Sequence, residues 1–482
     1  MKTFKQKSLY AALAGVTALG VTSAAQAVNV NPDGLGQVLI YPYYTVRDKV
    51  ANAPFSTLLT VVNSQASAKA VKVRFLEGKN SQEVLDFNLF LSAKDVWTAA
   101  ILQTADGAGV GSFDASCTIP TVGSTQASPV IHDFVNVLLD DAVGDDSLDR
   151  TREGYAEIIE MGTIAAGSAT ETAVTHKAGV PPCTASALTD AAVQAAIRAP
   201  SGGLFGDLTL INVNAGEDYT ADAVALDNFR NAGTYDSPGD IHPDLTQVNP
   251  PTSVVVANNA FYQSNWGNPI DAISALFMHD HVYNTFILDS GTKSGTDWVL
   301  TFPTKRYYYD ADGVVSYLFQ RNIDSNGGCD DVGITTYDRE ETSATPQVGF
   351  SPQRPGKANT LCWEANVLTF NASQVLGSTN NRNVASTYQN GWADLSFVLA
   401  PGTRGATGSY AHSLGSFSTT VTPVGGTTTG VDVSYIGLPV IGFALESYNN
   451  GTLGTPGNLV QSQYGGNFLH KGTRSIIPFG AP

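Results

Sequence analysis

Apolar and polar residues alternate with a period of two along much of the chain, the pattern of a strand with one buried face. Val71, Val73 and Phe75 alternate with Lys72 and Arg74, which predicts a half-buried strand whose basic side chains face water. The same signal, with short polar connections, predicts further strands over residues 56–63, 85–91, 96–102, 155–161, 208–213, 298–302, 307–309, 314–319, 363–370 and 393–399.

Helical signals are few and short. Thr189-Asp190 is a capping pair before an alanine-rich stretch at 191–199, and Asn268-Pro269 has the order of a helix start. Residues 106–128, 162–182 and 231–253 lack periodicity, which favours surface insertions. These signals predict a mainly β fold of Ig-like or β-sandwich architecture, with long loop insertions and a few short helices.

The first 27 residues have the features of a secretory signal peptide. Three lysines precede an apolar stretch, and Ala25-Gln26-Ala27 provides small residues for cleavage before Val28. We therefore divide the chain into a signal peptide (1–27), a β-sandwich domain with insertions (28–330) and a C-terminal β-rich region (331–482). The C-terminal region either forms its own unit or belongs to the same sheet system.

Charge narrows the range of partners. The 482 residues include 43 acidic and 26 basic residues, a formal net charge of −17. A chain this negative repels phosphate backbones, so we expect no nucleic-acid partner. Beyond the signal peptide we expect no transmembrane helix, because no later stretch has eighteen unbroken apolar residues.

Four cysteines in an exported chain predict two disulfides. Three pairings are open for Cys117, Cys183, Cys329 and Cys362. We favour Cys117–Cys183 and Cys329–Cys362, because each bond then closes a loop rich in Gly, Ser and Thr. A cysteine metal site is disfavoured, since the sequence has no close Cys pair.

A run of five aspartates within residues 140–149 suggests a bound calcium ion. Like charges so close in sequence are either solvated or bound to a hard cation, so structural calcium is one interpretation and a solvated acidic loop the other. No other cofactor is expected. The candidate ligands are Asp140, Asp141, Asp145, Asp146 and Asp149.

Catalytic motifs are not recognisable. The sequence has no phosphate-binding glycine motif and no Gly-x-Ser-x-Gly elbow, and no local spacing sets two carboxylates across a cleft. We read His279-Asp280-His281 as the end of a helix, where a histidine caps a carbonyl or faces water. Two tyrosine groups could stack on sugar rings or pack in sheets, residues 41, 43 and 44 and residues 307–309.

Several stretches resemble a poorly characterised family of exported proteobacterial cell-surface proteins. The residues that carry the resemblance are 39–44, 70–77, 84–91 and 296–306. It spans most of the mature chain and implies export and a surface or extracellular location. It assigns no active-site residue.

These observations predict an exported, non-enzymatic cell-surface or extracellular-matrix protein that acts by self-association or adhesion. Its partners would be other copies of the chain or other surface components. The alternative is a secreted carbohydrate-binding protein or glycoside hydrolase, with glycans as partners and exposed aromatic residues lining a cleft. A periplasmic location is the alternative to the surface.

Overall fold

The computed structural model describes residues 26–49, 53–123, 130–309, 318–319, 323–345, 359–398 and 412–479. The predicted signal peptide lies outside these residues except for Gln26 and Ala27, and so does most of the predicted strand at 314–319.

The described chain is mainly β, as predicted. Its strands are β1 (Asn29–Val30), β2 (Val38–Thr45), β3 (Ser56–Asn63), β4 (Lys69–Glu77), β5 (Glu83–Leu91), β6 (Val96–Gln103), β7 (Ala108–Gly111), β8 (Cys117–Ile119), β9 (His132–Asp133), β10 (Glu153–Ile164), β11 (Ile197–Arg198), β12 (Leu204–Phe205), β13 (Asp207–Asn212), β14 (Glu217–Asp222), β15 (Val224–Asp227), β16 (Thr252–Ala257), β17 (Ala260–Asn265), β18 (Met278–His279), β19 (His281–Ile287), β20 (Gly295–Thr301), β21 (Asp330–Asp331), β22 (Gly333–Tyr337), β23 (Ser343–Ala344), β24 (Thr360–Leu361), β25 (Ala365–Phe370), β26 (Asn381–Val384), β27 (Asn390–Ser396), β28 (Ser413–Pro423), β29 (Thr429–Ile436), β30 (Leu438–Pro439), β31 (Ile441–Thr455), β32 (Asn458–Leu469), β33 (Lys471–Thr473) and β34 (Ser475–Pro478).

Helices are short. Thr189 accepts a hydrogen bond from the amide of Ala192, and Asn268 accepts one from Ile270, so both predicted caps form. The helices are α1 (Ala169–Val174), α2 (Asp190–Ala196) and α3 (Pro269–Phe277), with 3-10 turns at Leu148–Arg152, Ala185–Ala187, Leu245–Gln247 and Lys305–Tyr308.

Two sheets form a sandwich in the first half of the chain. Sheet 1 has the order β1-β15-β2-β10-β4-β5-β8, with β11 beside β10, and sheet 2 has the order β14-β13-β3-β6-β7-β9, with β12 beside β3. Leu39 and Ile158 of sheet 1 meet Val61 and Trp97 of sheet 2 in one buried cluster. The alternation predicted for residues 71–75 is confirmed, since Val71, Val73 and Phe75 all join this cluster.

Three five-stranded sheets follow. Sheet 3 has the order β16-β17-β28-β29-β34, sheet 4 the order β23-β22-β27-β19-β33, and sheet 5 the order β26-β25-β20-β31-β32. Strands before and after residue 330 pair with each other in all three sheets, as β20 does with β25 and β31. Whether 28–330 and 331–482 fold separately stays a prediction.

The two halves also share a core. Val299 of β20 and Phe443 of β31 belong to the cluster that fills the first sandwich. The Thr301 hydroxyl donates a hydrogen bond to the carbonyl of Pro42 at 2.6 Å. Sheet 5 therefore packs directly on sheet 1.

Both predicted disulfides are confirmed, Cys117–Cys183 and Cys329–Cys362. The first joins β8 to the loop after α1, and the second joins the segments that carry β21 and β24.

The polar face of sheet 1 differs from the prediction. Lys72 and Arg74 are 0% and 1% exposed, so the expectation that they face water is wrong. The segment 231–253, predicted as a surface insertion, lies over this face, and its Ser237 carbonyl accepts a hydrogen bond from Lys72 at 3.0 Å. Arg74 bonds Glu83 at 2.6 Å and Glu157 at 2.8 Å, so the buried charges are paired.

Candidate functional site

The acidic run is held by basic side chains. The Arg150 guanidinium donates two hydrogen bonds to Glu77, at 2.8 and 2.9 Å, and two to Asp141, at 2.7 and 3.0 Å. Lys79 bonds Asp145 at 2.5 Å. Partial burial alone would raise the pKa of Asp145, but the hydrogen bond and charge of Lys79, together with hydrogen bonds from Ser147, lower that pKa to about 2.

The remaining aspartates of the run do not converge. Asp149 bonds Arg47 at 2.6 Å, and Asp140 and Asp146 are exposed. No group of three or more His, Cys, Asp or Glu side chains in the described ranges is arranged to hold a metal ion. Calcium binding by this run stays an untested prediction. It was suggested by the repulsion among the aspartates, and Arg47, Lys79 and Arg150 neutralise part of that negative charge.

The tyrosines singled out in the sequence do not form an exposed platform. Tyr41, Tyr43 and Tyr44 are at most 2% exposed and pack between the sheets. The segment 307–309, predicted as a strand, lies in and just after a 3-10 turn instead, and the Tyr308 hydroxyl donates to Asp271 at 2.6 Å. Tyr41, Tyr43 and Tyr44 therefore offer no exposed face to a sugar, and the tyrosines of 307–309 are only partly exposed.

An exposed row of rings lies elsewhere, on the outer face of sheet 4. Successive side chains of a strand point to opposite faces, so Ile334, Ala393 and Val282 are buried while Tyr337, Trp392 and Tyr283 point outward. Tyr337 and Trp392 occupy paired positions on β22 and β27. Their rings stack, with centroids 4.2 Å apart and planes 10° from parallel.

The row continues onto β19. The Tyr283 ring lies 6.1 Å from that of Trp392, and His281 stacks on Tyr283 at 5.9 Å. The Nδ1 atom of His281 lies 2.7 Å from the Asp394 carboxylate, which fixes the orientation of the imidazole at the end of the row.

A groove of about 670 Å³ runs beside this row. Trp392 is 38% exposed and Phe468 is 45% exposed, so aromatic surface faces water on both sides of the groove. Tyr337 stacks on one face of the Trp392 indole and does not line the groove. The opposite face of the indole is therefore the one that lies toward the groove. The lining residues are Tyr283, Asn284, Thr285, Trp392, Asn467, Phe468, Leu469 and Lys471.

Polar side chains also line the groove. Asn284 is held by hydrogen bonds from its amide to the Phe468 carbonyl at 2.9 Å and to the ring of His470 at 3.1 Å. Asn467 donates to the carbonyl of Thr220, and its own amide oxygen has no partner among the described residues. Lys471 is exposed and forms no ion pair with the described carboxylates.

None of the residues that line the groove is acidic. The nearest carboxylates have other partners, since Glu446 accepts a hydrogen bond from Thr285 at 2.9 Å and Asp394 pairs with His281. Glycoside hydrolysis needs two carboxyl groups that flank the scissile bond. The lining therefore has the composition of a binding surface and lacks this catalytic pair.

The histidines near this region are structural. His279 bonds the carbonyl of Phe277 at 2.8 Å, at the end of α3, and His470 bonds that of Val299 at 2.9 Å. Burial, with a contribution from Arg474, lowers the pKa of His279 to about 3, and burial lowers that of His470 to about 4. Both line an apolar cavity of about 200 Å³ as neutral rings.

The aromatic row was not found in the sequence. Its rings come from three strands that are spread over residues 281–396, and only the register of β19, β22 and β27 places them together. The one local signal is the outward position of each ring in an alternating strand.

Comparison with protein-family models, with curated proteins and with solved structures finds no match to this chain.

Proposed function

We propose that this chain is an exported, non-enzymatic surface protein that adheres by binding neutral carbohydrate in the groove of sheet 4. The observation that carries the proposal is the row of the exposed Trp392 and the partly exposed Tyr283 and Tyr337 beside a groove with amide and ammonium groups.

Sugar rings present an apolar C–H face and polar hydroxyl edges, and this groove offers a surface for each. The free face of Trp392 and the exposed Phe468 can pack against C–H faces. The exposed ammonium group of Lys471 can donate to hydroxyl groups, whereas the amides of Asn284 and Asn467 already donate to the carbonyls of Phe468 and Thr220. A few placed polar groups in an aromatic lining are typical of small-ligand and oligosaccharide sites.

The charge of the chain favours a neutral glycan. With a net charge of −17, the protein repels polymers that carry carboxylate or sulfate groups. Lys471 is the single charged residue of the groove lining, and one ammonium does not offset the overall field.

Export is supported by the disulfides. Such bonds persist in oxidising compartments, and the chain has two. Within the described ranges no helix is both long enough and apolar enough to cross a bilayer. The surface location rests on the predicted signal peptide and on the resemblance to exported cell-surface proteins.

The test is binding to an array of neutral and acidic polysaccharides, followed by affinity electrophoresis with the polymers that bind. Trp392→Ala removes the stacking surface and should weaken binding by about tenfold, which corresponds to about 1.4 kcal/mol. Trp392→Phe keeps an aromatic face and should retain most of the affinity.

Phe113→Ala is the matched control, because Phe113 is an aromatic side chain that is 64% exposed on another part of the chain. It should bind like the wild type. Equal affinity of the wild type and Trp392→Ala, or no binding to any neutral polysaccharide, would overturn the proposal.

A further inference from the structure

The hairpin of β31 and β32 extends beyond its sheet. Its neighbour β20 pairs with β31 only as far as Ser447, whereas β31 and β32 stay paired to Thr455 and Asn458. All side chains described between Thr452 and Asn458 are exposed. We call residues 448–464 the arm.

The arm exposes apolar surface in a structure that is weak by itself. Leu453 and Val460 lie directly opposite each other and are 58% and 65% exposed. A two-stranded ribbon without further packing is marginally stable in water. A second chain that covered the arm would bury these apolar side chains and would stabilise the ribbon.

The outer edge of β32 is unpaired. β32 is the last strand of sheet 5, and no other strand of the described residues forms a ladder with its outer edge. β14 packs on β32 only at the base of the hairpin, next to Gly465 and Asn467, outside the arm. Soluble proteins usually protect such edges with charged residues or proline. Here no Asp, Glu, Lys or Arg occurs between Glu446 and Lys471, and the one proline, Pro456, lies in the turn.

We propose that the arm pairs with the arm of a second copy, β32 against β32, antiparallel around a two-fold axis. An antiparallel edge is self-complementary, because the same donors and acceptors meet when one copy is rotated by 180°. Such an interface is closed and produces a dimer.

Charge limits where two copies can meet. The full sequence has a formal net charge of −17, and loss of the predicted signal peptide with its three lysines makes the secreted chain more negative, so most contacts between two copies are repulsive. An uncharged arm that projects from the body is where two such chains can meet with least repulsion. Salt screens the remaining repulsion, so dimerisation should strengthen between 0.05 and about 0.5 M NaCl.

Sedimentation velocity of the full secreted chain over a range of concentrations tests this proposal. The wild type should be a dimer that dissociates on dilution. Val460→Lys introduces an ammonium group into the uncharged arm of each copy and should raise the dissociation constant at least tenfold. Val460→Thr stays β-branched and uncharged and should remain dimeric.

Val256→Lys is the matched control, because Val256 is 46% exposed on β16, the edge strand of sheet 3. It should dimerise like the wild type. A wild type that is monomeric at all concentrations, or a Val460→Lys variant that is as dimeric as Val256→Lys, would overturn the proposal. Circular dichroism confirms that each variant is folded.

This inference is independent of carbohydrate binding. Val460 does not line the groove of sheet 4, so Val460→Lys should bind polysaccharide with the intrinsic affinity of the wild type. Loss of dimerisation and loss of glycan binding are therefore separable outcomes.

Discussion

Glu364 is a carboxyl group enclosed where the two halves of the chain meet. It is 0% exposed, and its Oε2 atom accepts hydrogen bonds from the Ser81 hydroxyl at 3.0 Å and the Arg306 amide at 3.2 Å. Burial raises its pKa to about 8, against the opposing effect of Lys305. Burial likewise raises the pKa of Glu157 to about 7, although Arg74 acts in the opposite direction.

These raised pKa values predict how stability depends on pH. Above pH 4.5 these two carboxyl groups keep protons in the folded chain that they release in the unfolded chain, so their contribution to the free energy of unfolding falls as pH rises to about 7 for Glu157 and about 8 for Glu364. The lowered pKa values of His279 and His470 act in the opposite direction below pH 6.5, so the contribution of Glu364 is read from its own variant. Glu364→Gln cannot ionise and should remove on the order of 2 kcal/mol of that fall, measured by urea denaturation at pH 5 and pH 8. Glu340→Gln, on an exposed turn, is the control and should keep the wild-type slope. Parallel pH profiles for Glu364→Gln and the wild type would contradict this assignment.

At the scale of an element, the 3-10 turn Leu148–Arg152 anchors the acidic run to the sandwich. The Arg150 side chain is 0% exposed and bonds Glu77, which is also 0% exposed. Replacing Arg150 by Met leaves Glu77 buried without its cation and should cost about 3 to 5 kcal/mol of unfolding free energy. The measurement is chemical denaturation monitored by circular dichroism.

Arg152, two residues along the same turn, provides the comparison. Its side chain is 19% exposed and pairs with the half-exposed Asp149, so Arg152→Met should cost less than about 1 kcal/mol. If both substitutions destabilised the protein equally, the buried pair would not be what anchors the run.

Elements were predictable where the signal is local. The period-two pattern at 56–63 corresponds to β3, and Asn268-Pro269 starts α3, because side-chain alternation and capping depend on neighbours in sequence. The cover over Lys72 was not predictable, because it comes from residues 231–253, far along the chain, and neither was the pairing of Arg74 with Glu157. Charged residues on an alternating strand look the same in sequence whether water or a partner carboxylate faces them.

The whole molecule is a set of sheets that share buried clusters across both halves of the chain. Sheets 4 and 5 take strands from residues 281–301 and from beyond residue 330. The aromatic row therefore exists only in the assembled fold, and the sequence could show neither its position nor its groove. The cysteine pairing could be inferred, because each bond closes a loop rich in Gly, Ser and Thr between cysteines that are neighbours in sequence.

The same packing makes Trp392 a specific reporter. The other four tryptophans, at positions 97, 266, 298 and 363, are at most 9% exposed, whereas Trp392 is 38% exposed. A ligand that stacks in the groove changes the surroundings of this indole and leaves the buried ones unchanged.

Tryptophan fluorescence during titration with a neutral polysaccharide is the most direct measurement of the proposed adhesion site. The wild type should show a saturable change in emission and protection of Trp392 from acrylamide quenching, and Trp392→Phe should show neither while still binding the polymer. Saturable binding without any change at Trp392 would place the carbohydrate elsewhere and contradict the account.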